Sequence, residues 1–246
     1  MRSIDEIAAE IRAHKDSGCK FEPCASCTNM VPGEGNPAAE ILFIGEAPGK
    51  NEDIHGRPFV GQAGKLLDRL IESIGMTRDD VFIANVLKAR PPGNRDPLPG
   101  EAEHNWPWLE EQIAVIDPAL IVLLGRHAMN RFLPNRKIGI DHGQARLLNG
   151  QVYLPVHHPA AALYTRALEQ TLFDDFSQIP HLIERIRSTP REELLARSKP
   201  AVDQIELDPE AGPETAARAP SPIFDADEVI AEPQTPMPAP GQPGLF

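Results

Sequence analysis

Four short apolar runs, separated by stretches long enough for a helix, constrain this chain more than any other feature. They are Ile41–Gly45, residues 81–86, Leu120–Leu124 and Gln151–Val156. Each is too short for a stable helix and reads as a strand buried on both sheet faces. Between them, residues 62–74 carry Leu66, Leu67, Leu70, Ile71 and Ile74 at helical spacing, and Gly75 ends the pattern. Residues 101–116 form the next helix, stopped by Asp117-Pro118. A short helix follows to about Leu133, and a last one covers residues 168–186. Ahead of the first strand, Ile4, Ile7, Ala8 and Ile11 mark an amphipathic helix. Alternating strands and helices imply right-handed crossovers. The expected fold is α/β: a three-layer α/β/α sandwich with a central, mostly parallel four-stranded sheet.

Composition divides the chain in two. Residues 200–246 hold nine acidic residues against one arginine, and ten of the 26 prolines. Their apolar residues are sparse and unpatterned, which predicts disorder. One domain is therefore expected over residues 1–197, with an acidic Pro-rich tail over 198–246. The formal charge of −12 argues against nucleic-acid binding at first sight, but most of it sits in that tail. The body has 27 acids and 23 bases, so a local basic face is compatible with it. No run of eighteen apolar residues is present, nor an apolar leader, so no membrane partner is expected. Three cysteines are an odd number, which argues against a disulfide framework and for a reducing, cytoplasmic setting.

The first strand runs straight into a turn, Gly45-Glu46-Ala47-Pro48-Gly49. In a parallel α/β sheet, ligands bind at such strand ends, and a turn of Gly and Pro lets backbone approach them closely. Further motifs follow in order: Gly56-Arg57-Pro58-Phe59-Val60-Gly61, then Ala84-Asn85-Val86-Leu87-Lys88, then His157-His158-Pro159-Ala160. With Gly33-Glu34-Gly35-Asn36-Pro37 and the run from Arg90 to Arg95, they resemble the uracil-DNA glycosylases, and most closely the type 4 (thermophile-type) family. The resemblance covers roughly residues 19–180. It implies a monofunctional glycosylase of base-excision repair, acting as a monomer on uracil-containing DNA and leaving an abasic site.

The residues suit that chemistry. An amide at Asn85 can accept the N3–H of uracil and donate to O4, a pattern that cytosine reverses; a turn or capping Asn is the alternative. Phe59 is placed to stack on the base, or else is a core aromatic. Gly45 and Ala47 belong to the same substrate loop. By resemblance Glu52 lies near the C5 edge and helps exclude thymine, while Asp53 is a helix cap or hydrogen-bond anchor. His158, favoured over His157 by its register with Pro159, stabilises charge on O2 of the departing base as an oxyanion hole would. Ala47 stands where better-known uracil glycosylases carry a water-orienting Asp, so Glu46 is the nearest carboxylate for that task. A dissociative path makes it contributory, not essential. Lys88, Arg90, Arg95 and Arg166, with Arg126, Arg131, Arg136, Lys137 and Arg146, are candidate phosphate contacts.

Type 4 relatives imply a [4Fe–4S] cluster on four cysteines. Here Cys24-x2-Cys27 can supply the first pair and Cys19 a third thiol, but the third and fourth positions of the pattern are Ala89 and Asn105. His104 is a candidate substitute, to iron or to zinc. The residues favour loss of the cluster, with loop packing in its place; no cofactor is needed for the chemistry. The tail ends Gln242-Pro243-Gly244-Leu245-Phe246. Gln-x-x-Leu-Phe resembles the pentapeptide with which bacterial proteins dock on the β sliding clamp. Two rival functions are a catalytically inactive sensor of damaged DNA and a nucleotide-processing α/β hydrolase. The second would need a Gly-Lys-Ser/Thr phosphate loop or a carboxylate metal cluster, and neither motif is found.

Overall fold

The computed structural model describes residues 2–198. Helix α1 (Ile4–His14) opens with a capping box between Ser3 and Glu6 and buries Ile4, Ile7, Ala8 and Ile11. In chain order there follow β1 (Glu34–Gly35), β2 (Ile41–Gly45), α2 (Lys50–His55), α3 (Gln62–Ser73), β3 (Phe82–Asn85), α4 (Pro99–Ile116), β4 (Leu120–Leu124), α5 (Arg126–Phe132), α6 (Ile138–Asp141), β5 (Arg146–Leu148), β6 (Gln151–Val156), α7 (Pro159–Ala162), α8 (Ala167–Ser177), α9 (Ile179–Ser188) and α10 (Arg191–Ser198). Among the described residues no helix is long and apolar enough to cross a membrane.

The sheet order is β1-β3-β2-β4-β6-β5. Its four central strands pair in parallel, as the alternating pattern predicts. Among the described residues the sheet has six strands rather than four, because each edge carries a short antiparallel addition. The β5–β6 hairpin closes through Asn149-Gly150, both at positive φ, the pair that a two-residue turn of matching twist requires. The helix expected over residues 168–186 is two helices. Pro180 stands in the first turn of α9, where its missing N–H costs nothing, whereas inside one continuous helix it would remove a hydrogen bond and clash.

Alternation along the strands feeds two cores. Ile41 and Phe43, with Leu120, Val122 and Leu124, face α3, α8 and α9. Leu42 and Ile44, with Ile121 and Leu123, face α1, α4 and α5. Strands apolar at every position are thus explained by a helix layer on both faces. All four parallel strands end at the same edge, so Gly45, Asn85, Gly125 and the His157-His158 pair meet there.

Candidate active site

Gly45 is the pivot of this edge. A Cβ there would overlap Asn85 Oδ1 and stand 2.6 Å from the Phe59 ring, so only glycine lets the two side chains converge. Asn85 is 2% exposed. Among the described residues nothing donates to its Oδ1, although a buried acceptor left alone costs about 1–3 kcal/mol. Phe59 adopts φ +51°, a left-handed backbone that a bulky residue takes only under constraint. The constraint is visible. Glu52 Oε1 accepts the N–H groups of Val60 and Gly61, both at 2.9 Å. Arg78 donates to the carbonyls of Pro58, at 3.1 Å, and of Phe59. Held in this way, the Phe59 ring lies 5.7 Å from that of His158, tilted by 26°.

His158 caps α7, accepting the Ala160 N–H on Nδ1 at 3.1 Å. Desolvation lowers its pKa to about 4, opposed in part by the Glu52 carboxylate. The ring is therefore neutral at pH 7 with its proton on Nε2, leaving one N–H donor directed away from the cap. Gly125, at φ +89°, makes room for it, since a Cβ there would stand 2.8 Å from His158 Cβ. His157 instead packs beside His142, ring centroids 4.6 Å apart.

Glu46 lies beside His127, Oε2 to Nε2 3.7 Å, and the same Nε2 is 3.3 Å from Asp96 Oδ2. Burial raises the Glu46 pKa above the usual carboxylate value; His127 pulls it back and Asp96 pushes it up. His127 was not legible from any motif. The available signal was its position two residues beyond Gly125, at the same sheet edge. Ala47 packs partly buried against the α1–α4 core.

One expected phosphate contact is overturned. Lys88 is fully buried and cannot reach a phosphate; its Nζ donates to Asn85 O at 2.9 Å and Gln112 Oε1 at 2.7 Å. It braces the strand end from behind, and burial lowers its pKa to about 7. Glu52 anchors the Phe59 loop through both of the N–H bonds given above. Asp53 accepts from Thr28 N–H at 2.7 Å and Asn29 N–H at 3.1 Å, the anchor rather than the cap. Arg95 is paired with the buried Glu101, Nη1 to Oε2 2.9 Å, and Arg90 donates to Asn94 Oδ1 at 2.7 Å. Arg166 is exposed, beside Leu163, 49% exposed, and Tyr164, 91% exposed. The pentapeptide Gln242–Phe246 lies outside the described residues.

The residues present do not fit a four-cysteine cluster. The chain has three cysteines. Ala89 is buried, and both ends of the Asn105 amide are occupied: Oδ1 accepts Lys88 N–H at 2.9 Å and Nδ2 donates to Glu101 O at 2.8 Å. Cys27 stands outside the group that the other two thiols join, its Sγ 3.3 Å from Cys24 O and 3.7 Å from Met30 Sδ. Cys19 and Cys24 do converge, with His104 and with His14, which had not been singled out. Packing alone is thus not what occupies this region; a compact Cys/His group does.

Comparison with known proteins agrees with this geometry. A model of the Uracil DNA glycosylase superfamily matches residues 32–179. The chain is 45% identical over 194 residues to a type-4 uracil-DNA glycosylase of Sulfurisphaera tokodaii, covering 74% of this chain and 86% of the relative. A type-4 uracil-DNA glycosylase of Saccharolobus solfataricus is 44% identical, covering 73% and 86%. One of Archaeoglobus fulgidus is 42% identical, covering 77% and 98%. Matching motifs in order, a shared sheet edge and identity at this level over most of both chains lead to one conclusion: the chain belongs to the uracil-DNA glycosylase superfamily, in its type 4 family.

Proposed function

We infer that the protein is a monofunctional uracil-DNA glycosylase that hydrolyses the bond between uracil and deoxyribose in DNA and leaves an abasic site. The observation that carries this reading is the buried Oδ1 of Asn85, without a donor among the described residues, next to the clamped Phe59 ring and a neutral imidazole. A base turned out of the helix would stack on Phe59, at about 1–3 kcal/mol. Its N3–H would satisfy Asn85 Oδ1, and the amide N–H would meet O4. Cytosine offers no hydrogen at N3 and an amino group in place of O4, so it leaves the amide mismatched.

As the C1′–N1 bond breaks, both electrons go to the base and its O2 gains charge. His158 Nε2–H donates to O2 and stabilises that charge without transferring its proton. The sugar becomes cation-like. The oxygen of a water bonds to C1′, and the water's proton leaves to solvent. Glu46, in the turn after Gly45 and beside His127, is the carboxylate that would orient that water or stabilise the cation. With the leaving group stabilised separately, Glu46 contributes without being indispensable.

Outside the pocket, Leu163 and Tyr164 offer an exposed apolar edge that can fill the gap left by the extruded base. Arg166 is the cation next to it for a phosphate. The enzyme acts as a monomer in this reading, in the cytoplasm, and Gln242–Phe246 binds the sliding clamp.

A single-uracil oligonucleotide, treated with the protein and then with alkali, should be cut at the uracil, with free uracil released. Without alkali the strand should stay whole. Binding of the oligonucleotide with no uracil released would establish the inactive sensor instead.

A further inference from the structure

The end of α1, the loop after it and the second turn of α4 meet at His14, Cys19, Cys24 and His104. Each offers one ligand atom, and all four atoms lie within 4.8 Å of one another. His104 Nε2 is 3.3 Å from His14 Nε2 and 3.8 Å from Cys19 Sγ. A tetrahedral zinc ion with bonds of about 2.0 Å to nitrogen and about 2.3 Å to sulfur sets its ligands roughly 3.3–3.8 Å apart. A four-iron cluster binds each ligand to a separate iron, which spreads the ligating atoms further than these are. Two imidazole nitrogens facing each other can share at most one proton, whereas a cation between them uses both lone pairs. Aromatic neighbours hold the two rings: His104 stacks on Phe21 with centroids 4.6 Å apart, and His14 meets Trp108 edge-on at 4.7 Å.

We propose that His14, Cys19, Cys24 and His104 bind one divalent zinc-class ion, where the family resemblance implies an iron–sulfur cluster. Two thiolates and two imidazoles are the donor set that zinc takes in closed structural sites. Four protein ligands leave no open position, so the ion is structural. It fastens α1 and the following loop to α4, and through α4 supports Asn105 and Gln112, which bond Lys88 behind the pocket. Cys27 is not a ligand.

The test is metal analysis of the full chain purified under reducing conditions. One zinc per chain is expected, with neither iron nor acid-labile sulfide. Apoprotein prepared with a chelator should take up one Co2+ and show the ligand-field and thiolate charge-transfer absorption of a tetrahedral S2N2 site. His14→Ala and His104→Ala should each weaken Co2+ uptake by more than about 100-fold, since even outer-shell changes cost about 10–100-fold. Cys27→Ser should bind as the parent does. Cys19→Ser, altering a partly exposed side chain, provides the same readout if a histidine variant fails to fold. Iron with equimolar sulfide, failure of the apoprotein to bind Co2+, or metal lost from Cys27→Ser but kept by His14→Ala would each overturn the proposal.

Discussion

Asn85 is a buried acceptor with no donor among the described residues, so its environment is completed only when something else supplies a hydrogen. Asn85→Asp replaces the amide by a group with no N–H for O4. A hydrogen bond of about 1–3 kcal/mol predicts uracil release lowered about 10- to 100-fold in kcat/KM, with cytosine gaining relative to uracil. Unchanged kcat/KM on a uracil oligonucleotide would remove Asn85 from recognition. His158 makes a separate prediction. Its pKa of about 4 lies below the ordinary value of about 6.5. As pH falls, the unfolded chain therefore takes up a proton before the folded one does. This contribution to stability is intact above pH about 6.5 and is lost towards pH about 4. Between pH 7 and pH 5 it amounts to about 2 kcal/mol. Urea unfolding of His158→Gln should show a pH dependence shallower by about that amount.

At the scale of elements, the site is made by where strands stop. β2 ends on Gly45 because nothing larger fits between Asn85 and Phe59. Gly45→Ala should leave the circular dichroism spectrum unchanged, since the sheet needs no glycine there. It should lower uracil release at least about 10-fold by prying the pocket apart; full activity would show that the two side chains need not converge. β3 is braced at its end by Lys88. Lys88→Met keeps the length but leaves two acceptors without that donor, at about 1–3 kcal/mol of stability in urea unfolding. The salt dependence of DNA binding should not change, because Lys88 touches no phosphate. A slope reduced by about one unit would return it to the DNA interface.

For the whole molecule, charge is divided between a mildly acidic body and a strongly acidic segment after residue 200. Repulsion between that segment and DNA makes it a poor part of the substrate surface. On the function proposed above, Gln242–Phe246 would bind a protein partner instead, with Leu245-Phe246 as the apolar anchor. Deleting Gln242–Phe246 should leave uracil release from a free oligonucleotide as it was and weaken binding to the β clamp at least about 10-fold. Equal clamp affinity of the truncated and parent chains, measured by surface plasmon resonance, would end that assignment.

Local pattern was enough for the four parallel strands and for α3, α4 and α5 between them, and ordered motifs singled out Gly45, Phe59, Asn85 and His158 as candidates. These rest on local periodicity and on ordered motifs, which a chain carries before it folds. The Asn149-Gly150 hairpin and the break at Pro180 were legible too, in turn and proline chemistry, although neither was expected. Tertiary structure alone decided whether a charged side chain faces water or the core. Lys88 and Arg166 look alike in sequence, and only packing buries one and exposes the other. It also decided which of three cysteines approach two histidines that are themselves 90 residues apart along the chain. Such distances are closed by the packing of α1 on α4, and no local pattern encodes them.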